Sequence, residues 1–126
     1  MVFFVLFILT GKLTTHTIAN NSEYIIGYYN GKPVYRKWYI SDNANLPTGL
    51  TIIDKNINNL NSEIFSFNGV FFQGTYYMHA TTFEYTSYGN ISYIFCIRMS
   101  KDGVLIQNNN YPGINKYRLY VDYCAK

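Results

Sequence analysis

Short runs of β-branched and aromatic residues, separated by turns that contain Gly or Asn, fill the chain from Glu23 onward. No window shows apolar residues at the three-and-four spacing of an amphipathic helix. Val, Ile, Tyr, Phe and Thr suit a pleated, half-buried surface, and closely spaced turns are typical of sandwiches and barrels. The sequence therefore predicts an all-β fold, specifically a small antiparallel β-sandwich of jelly-roll-like form.

Two turn signals predict hairpins. Asn30-Gly31 lies between residues 23–29 and 32–40, and both turn residues tolerate the positive φ angles of a tight two-residue turn. Asp102-Gly103 predicts the second hairpin. In the last predicted strand, residues 117–124, apolar and mixed positions alternate, which indicates a sheet with one buried face.

Glycine and asparagine mark further boundaries. Asn68-Gly69 and Gly74 divide the apolar stretch 64–78 into two or three predicted strands. Asn favours turns because its side chain hydrogen-bonds nearby backbone. Asn-rich loops are therefore predicted at residues 42–45, 56–61 and 108–110.

The amino terminus differs from the rest of the chain. Residues 1–21 are predicted to form a leader or arm, and residues 22–126 a single domain. Residues 1–9 are apolar but far fewer than the about twenty that a spanning helix needs, so no membrane span is predicted. Three interpretations fit this run. It is the apolar part of a signal peptide cleaved near Ala19, a strand or anchoring tail buried against a partner chain, or sequence upstream of the true domain.

Charged residues make up only 13% of the chain, against about 25% in average soluble domains. The surface must therefore use uncharged polar groups, which suit hydroxyl-rich partners or a close-packed homo-oligomer. The net charge of +3 is modest and the basic residues are scattered, so no nucleic-acid partner is predicted.

Cys96 and Cys124 lack the short spacing of a zinc or redox motif. They are predicted to be free thiols, each buried in its own strand, and a disulfide between neighbouring strands is the alternative. No metal and no cofactor is predicted.

The residue types of known catalytic sites do not fall into a catalytic arrangement. Hydrolysis by a carboxylate pair needs two acids converging on one bond, whereas the acids here are spread singly. Asp54 beside Lys55 and Asp102 beside Lys101 are predicted to be solvated turn charges. His79 lies in a strand-like run and is predicted to make a cross-strand polar contact. The sequence therefore predicts no enzyme.

The chain has more Phe and Tyr residues than a core of this size can hold, so some tyrosines must lie at the surface or at an interface. Exposed tyrosines can stack on sugar rings or fill subunit contacts. The candidates lie near predicted loops or strand ends, and they are Tyr76, Tyr77, Tyr85, Tyr88 and Tyr111.

The segment that begins at Ile25 is Ile-Ile-Gly-Tyr-Tyr-Asn-Gly-Lys-Pro-Val-Tyr-Arg-Lys. It resembles the opening hairpin of a carboxyl-terminal β module in phage tail, tail-fibre and appendage proteins, with the pattern Gly-x-Trp-(x)-(Asn/Asp)-Gly-Lys-Pro-(Ile/Leu)-Tyr-Arg-Lys. Tyr28 stands where the module has Trp. The matching motif residues are Asn30, Gly31, Lys32, Pro33, Tyr35 and Arg36.

Weaker matches follow in the same order along the chain. Leu46-Pro47, residues 57–60 and Gly69 with Tyr76-Tyr77 are similar to later elements of the module, and residues 117–126 look like its terminal strand. The resemblance covers about residues 23–126.

This resemblance implies a β-sandwich-like module at the end of a virion appendage, usually a homotrimer in contact with other virion proteins. It implies a non-catalytic role in host attachment or fibre architecture. The surface tyrosines add bacterial surface polysaccharide as an expected ligand. A secreted carbohydrate-binding domain outside any virion is the alternative.

Overall fold

The computed structural model describes residues 18–43, 45–85, 91–109 and 113–126. Within these ranges the chain forms β-strands and no helix, which confirms the predicted all-β class. The strands are β1 Glu23–Tyr29, β2 Lys32–Ser41, β3 Gly49–Asp54, β4 Ser62–Gln73, β5 Tyr76–His79, β6 Thr81–Tyr85, β7 Ile91–Ser100, β8 Gly103–Asn109 and β9 Ile114–Ala125.

The strands form two antiparallel sheets. One has five strands in the order β1-β2-β9-β4-β5, and the other has four in the order β3-β8-β7-β6. The carboxyl-terminal strand β9 lies inside the five-stranded sheet, between β2 and β4. The first hairpin and the last strand are thus neighbours in space.

The first hairpin is confirmed at the predicted turn. Asn30 and Gly31 have φ angles of 48° and 77°, the two positive values that a type I′ turn requires. β1 then pairs with β2 as Tyr29 with Lys32 and Tyr28 with Pro33. The second hairpin is also confirmed, and β7 pairs with β8 up to Ser100 and Gly103.

Asn68-Gly69 does not interrupt a strand, contrary to one of the predicted divisions. β4 continues through it, and only the turn at Gly74 separates β4 from β5. Gly69 has a φ of 147°, and a Cβ there would lie 2.1 Å from the carbonyl oxygen of Arg118. The glycine is needed because β9 approaches closely, so it marks a tight strand contact.

Side chains from both sheets form one hydrophobic core. Phe71 on β4 and Phe95 on β7 are fully buried, and their ring centroids are 4.2 Å apart. Leu119 and Val121 on β9 are also fully buried, which confirms the predicted apolar face of the last strand. The second face of β9 is not solvated throughout, since Asp122 is only 5% exposed.

Two of the asparagine predictions have different outcomes. In the 56–61 loop, Oδ1 of Asn58 accepts hydrogen bonds from the backbone N–H groups of Leu60 (3.0 Å) and Asn61 (3.3 Å), which is the expected turn chemistry. The predicted loop at residues 108–110 is wrong at Asn108, which is buried within β8. Strands pair with β8 on both sides there, and these ladders outweigh the turn preference.

Two residues that precede the predicted domain boundary at residue 22, Asn20 and Asn21, form hydrogen bonds with β2. The N–H of Asn21 donates to the carbonyl of Trp38 (2.8 Å), and the N–H of Trp38 donates to the carbonyl of Ser22 (2.9 Å). Oδ1 of Asn20 accepts from the N–H of Ile40 at 3.1 Å. The apolar run at residues 1–9 lies outside the described residues, so its interpretations stay predictions.

Candidate binding surface

The structure exposes two of the predicted tyrosines. Tyr76 and Tyr77 lie on β5, at the edge of the five-stranded sheet, and are 74% and 73% exposed. Tyr77 pairs with Phe72 and Tyr76 with Gln73, so the two rings leave opposite faces of the sheet. Tyr85 ends β6 in the other sheet. Tyr88 and Tyr111 lie outside the described residues.

The five-stranded sheet has an aromatic face that points away from the core, here called the outer face. Its positions alternate with the buried residues Tyr39, Phe71, Leu119 and Val121, so the pleat directs them outward. Strand pairing places aromatic and charged side chains next to each other there. The outer face contains Tyr24, Arg36, Trp38, Phe72, Tyr77, Arg118, Tyr120 and Asp122.

Trp38 and Tyr120 form the centre of the outer face. They are directly opposite in the β2–β9 pairing, with ring centroids 5.1 Å apart and planes inclined by 55°. Nε1 of Trp38 donates to the hydroxyl of Tyr24 at 3.2 Å, which fixes the orientation of the indole. The guanidinium carbon of Arg36 lies 4.1 Å from the centroid of the Tyr120 ring, within cation–π range.

Acidic partners hold both arginines of the outer face. Nε and Nη2 of Arg36 donate to the two carboxylate oxygens of Asp122 at 2.8 and 2.9 Å, a bidentate pair. Arg118 pairs with Asp42 and lies over the Phe72 ring at 5.6 Å. Each guanidinium charge is therefore balanced locally, whereas Lys116, which is exposed and pairs with Phe72 in the β4–β9 register, adds a positive charge near the β5 edge of the outer face.

The hairpin motif supplies residues to both faces of the sheet. Tyr35 and Arg36 point to opposite faces, as predicted, and the Tyr35 ring lies 5.8 Å from that of Tyr123 on the inner side. Nζ of Lys32 donates to the backbone carbonyl of Ala125 at 3.4 Å. Pro33 lies at the start of β2, where its missing N–H is tolerated.

Asp54 is not the solvated turn charge that the sequence predicted. It is 8% exposed and accepts hydrogen bonds from the Tyr39 hydroxyl (2.7 Å), from Nζ of Lys37 (2.8 Å) and from the N–H of Asn56 (2.9 Å). Tyr39 and Lys37 lie on β2 and Asp54 lies on β3, so this cluster joins the two sheets. Asp102, in contrast, is exposed as predicted.

The surroundings of this cluster shift its titration. Burial alone would raise the pKa of Asp54, but the hydrogen bonds from Lys37, Tyr39 and Asn56 outweigh it and hold that pKa below its ordinary value. Burial, together with donation to Asp54, raises the pKa of Tyr39. Both groups thus keep the protonation states that their hydrogen bond requires. The structural role of joining the two sheets therefore explains the cluster of Asp54, Tyr39 and Lys37 fully.

Both cysteines are free and buried, which confirms the first of the two predictions for them. Cys96 lies on β7 and Cys124 on β9, in different sheets. Burial raises the pKa of the Cys96 thiol, so it is a poor nucleophile. Among the described residues, no three His, Cys, Asp or Glu side chains gather into a group that could hold a metal ion.

Comparison of the chain with protein families, with curated proteins and with solved structures finds no match. The resemblance to the phage appendage module therefore stays a prediction from the hairpin motif. In the part of the chain that the structure describes, no helix has the length and apolar character needed to cross a membrane.

Proposed function

We propose that this chain is a non-catalytic module of a phage appendage, a tail fibre, tail tip or head fibre, and that it attaches the virion to a polysaccharide on the host surface. The outer face is the observation that carries this proposal. It presents Trp38, Tyr120 and Tyr77 on one sheet, beside arginines whose charges are already balanced. Aromatic rings with a few polar groups suit a neutral, hydroxyl-rich ligand better than an ionic one.

The phage context rests on the hairpin motif. The Asn30-Gly31 turn has the backbone geometry that this sequence pattern needs, and Lys32 and Arg36 both contact the terminal strand β9. The motif therefore ties the first hairpin to the end of the chain. That role suits a compact module at the tip of a fibre.

Three of the aspartates form structural ion pairs, which accords with a binding role without catalysis. Asp42, Asp54 and Asp122 each form an ion pair with a different basic side chain, at separate places in the fold. The hydrogen bonds of Asp54 also hold its pKa below the ordinary value, which makes this carboxylate a weak general base.

For the architecture, we propose that the two sheets stack as a jelly-roll-like sandwich and that three chains associate. The shared core and the Phe71–Phe95 contact support the stacking. Ile25, Ile26 and Tyr28 on the edge strand β1 are 47%, 45% and 72% exposed, an apolar strip that suits contact with other chains.

The test of attachment compares two neighbouring tyrosines of equal exposure. The full chain is applied to immobilised neutral polysaccharide isolated from bacterial surfaces. Tyr77→Ala should weaken binding, because Tyr77 is on the outer face, whereas Tyr76→Ala should bind almost as the wild type. The double variant should keep the oligomer size measured by light scattering. Loss of the oligomer would place these rings at a subunit interface and contradict the proposed use of the outer face.

A further inference from the structure

We propose that Trp38, Tyr120 and Arg36 form a preorganised subsite for one neutral hexopyranose unit of a polysaccharide. This proposal rests on the proposed function and adds a defined position and ligand class to it. Trp38 lies on β2, three strands or about 14 Å across the sheet from β5, and Tyr77 is displaced by a further four residues, about 13 Å, along the strands. A polysaccharide chain lying diagonally across the outer face would therefore contact both places.

The rings are held in place before any ligand arrives. Trp38 is fixed by its hydrogen bond to Tyr24, and Arg36 by two hydrogen bonds to Asp122. The guanidinium in turn lies over the Tyr120 ring. Side chains that are already ordered lose little conformational entropy on binding, so weak contacts with a sugar can yield measurable affinity.

The subsite also has hydrogen-bond donors to spare. A guanidinium has five N–H groups, and Arg36 uses two of them on Asp122. The remaining three have no partner among the described residues. Its side chain is 29% exposed, so these donors can reach a hydroxyl oxygen of a sugar whose C–H face packs on the indole.

The net charge of the subsite determines whether it prefers a neutral or an acidic ligand. An uncompensated arginine would favour a carboxylate or a phosphate. Here Asp122 lies against Arg36 and is itself only 5% exposed, so the pair carries no net charge. An anionic group at Arg36 would also approach the Asp122 carboxylate. A neutral hexose donates and accepts through hydroxyls and meets no such repulsion.

Tryptophan fluorescence reports on this subsite directly, because Trp38 is the one tryptophan of the chain. The full chain is titrated with dextran, mannan and galactan as neutral probes and with polygalacturonate as the acidic probe, while tryptophan emission is recorded. At least one neutral probe should change the emission in a saturable way that added salt does not abolish. Polygalacturonate should cause no change at equal concentration.

Variants separate stacking from general surface effects. Trp38→Leu should weaken binding of the responding probe by about tenfold, a loss comparable to that caused by removing an aromatic ring that stacks on a nucleic-acid base. Trp38→Phe should retain more of the binding than Trp38→Leu. Tyr76→Ala is the matched control, since Tyr76 is 74% exposed and pairs with Gln73 on the opposite face of the same sheet. It should bind as the wild type.

Each other outcome counts against the proposal. Binding with unchanged emission, or unaffected by Trp38→Leu, would remove the subsite and leave attachment through Tyr77 intact. Tighter binding of polygalacturonate would refute the neutral ligand class. Loss of the oligomer in folded Trp38→Leu would assign the rings to a subunit contact. If the wild type binds no polysaccharide, including the bacterial surface material, the proposed function and the subsite both fail.

Discussion

Replacing Asp54 by Ala should destabilise the fold strongly, because three groups donate to its buried carboxylate. The variant leaves the Lys37 ammonium, whose side chain is 16% exposed, without its counter-ion. It also leaves the hydroxyl of Tyr39, a residue that is 2% exposed, without its acceptor. Breaking a buried ion pair costs about 3–5 kcal/mol. Lys37 retains some contact with water, so we expect the lower end of that range, about 3 kcal/mol.

Tyr39→Phe should cause a smaller loss of stability than Asp54→Ala. It removes one of the three hydrogen bonds and leaves Asp54 paired with Lys37 and Asn56. The free energy of unfolding should fall by about 1–2 kcal/mol. Combining Tyr39→Phe with Asp54→Ala should cost less than the sum of the two, because both changes remove the same hydrogen bond.

Urea unfolding at a fixed protein concentration, followed by the emission of Trp38, measures these free energies. Asp102→Ala is the control, since Asp102 is an exposed turn residue and should change stability by no more than about 0.5 kcal/mol. Equal stabilities for Asp54→Ala and Asp102→Ala would refute the tie between the sheets.

The same cluster sets a pH dependence of stability. The folded pKa of Asp54 lies below its unfolded value of 3.8, so its contribution is present above that pH and is lost as the pH falls through the folded value. The stability difference between wild type and Asp54→Ala should therefore shrink below pH 3.8. A difference that stays constant into that range would contradict the assignment.

Two further predictions concern glycines and assembly. Gly31→Ala should cost about 1 kcal/mol, because its φ is positive but no atom lies within 4 Å of the added Cβ. Gly69→Ala should cost clearly more, since its Cβ would collide with the Arg118 carbonyl, and equal melting temperatures for the two variants would contradict the close strand approach. Light scattering of the full chain should give the mass of three chains, and a monomer would remove the trimer from the proposal.

Local signals allowed the hairpins to be predicted from sequence. Asn30-Gly31 determines its turn by backbone preferences alone, so no distant residue is needed to recognise it. Gly69 was misinterpreted because its function depends on β9, which lies some fifty residues away in sequence. A glycine that permits close strand contact cannot be distinguished by sequence from one that ends a strand.

The candidate surface was only partly predictable for the same reason. Tyr77 was identified because an excess of aromatic residues must leave some at the surface. Trp38 and Tyr120 were not singled out, since their contact arises from the register of β2 on β9. Asp54 was assigned to solvent because Lys55 follows it, whereas its actual partners come from β2. The recurrence of Trp, Arg and Tyr at alternate strand positions was the available signal.

Binding of the purified full chain to neutral surface polysaccharide from candidate host bacteria, with assay of newly formed reducing ends, tests the central claim most directly. We expect saturable binding, sensitive to Tyr77→Ala, without any release of reducing ends over prolonged incubation. Absence of binding would contradict the attachment role, and steady release of sugar ends would show that the chain is an enzyme.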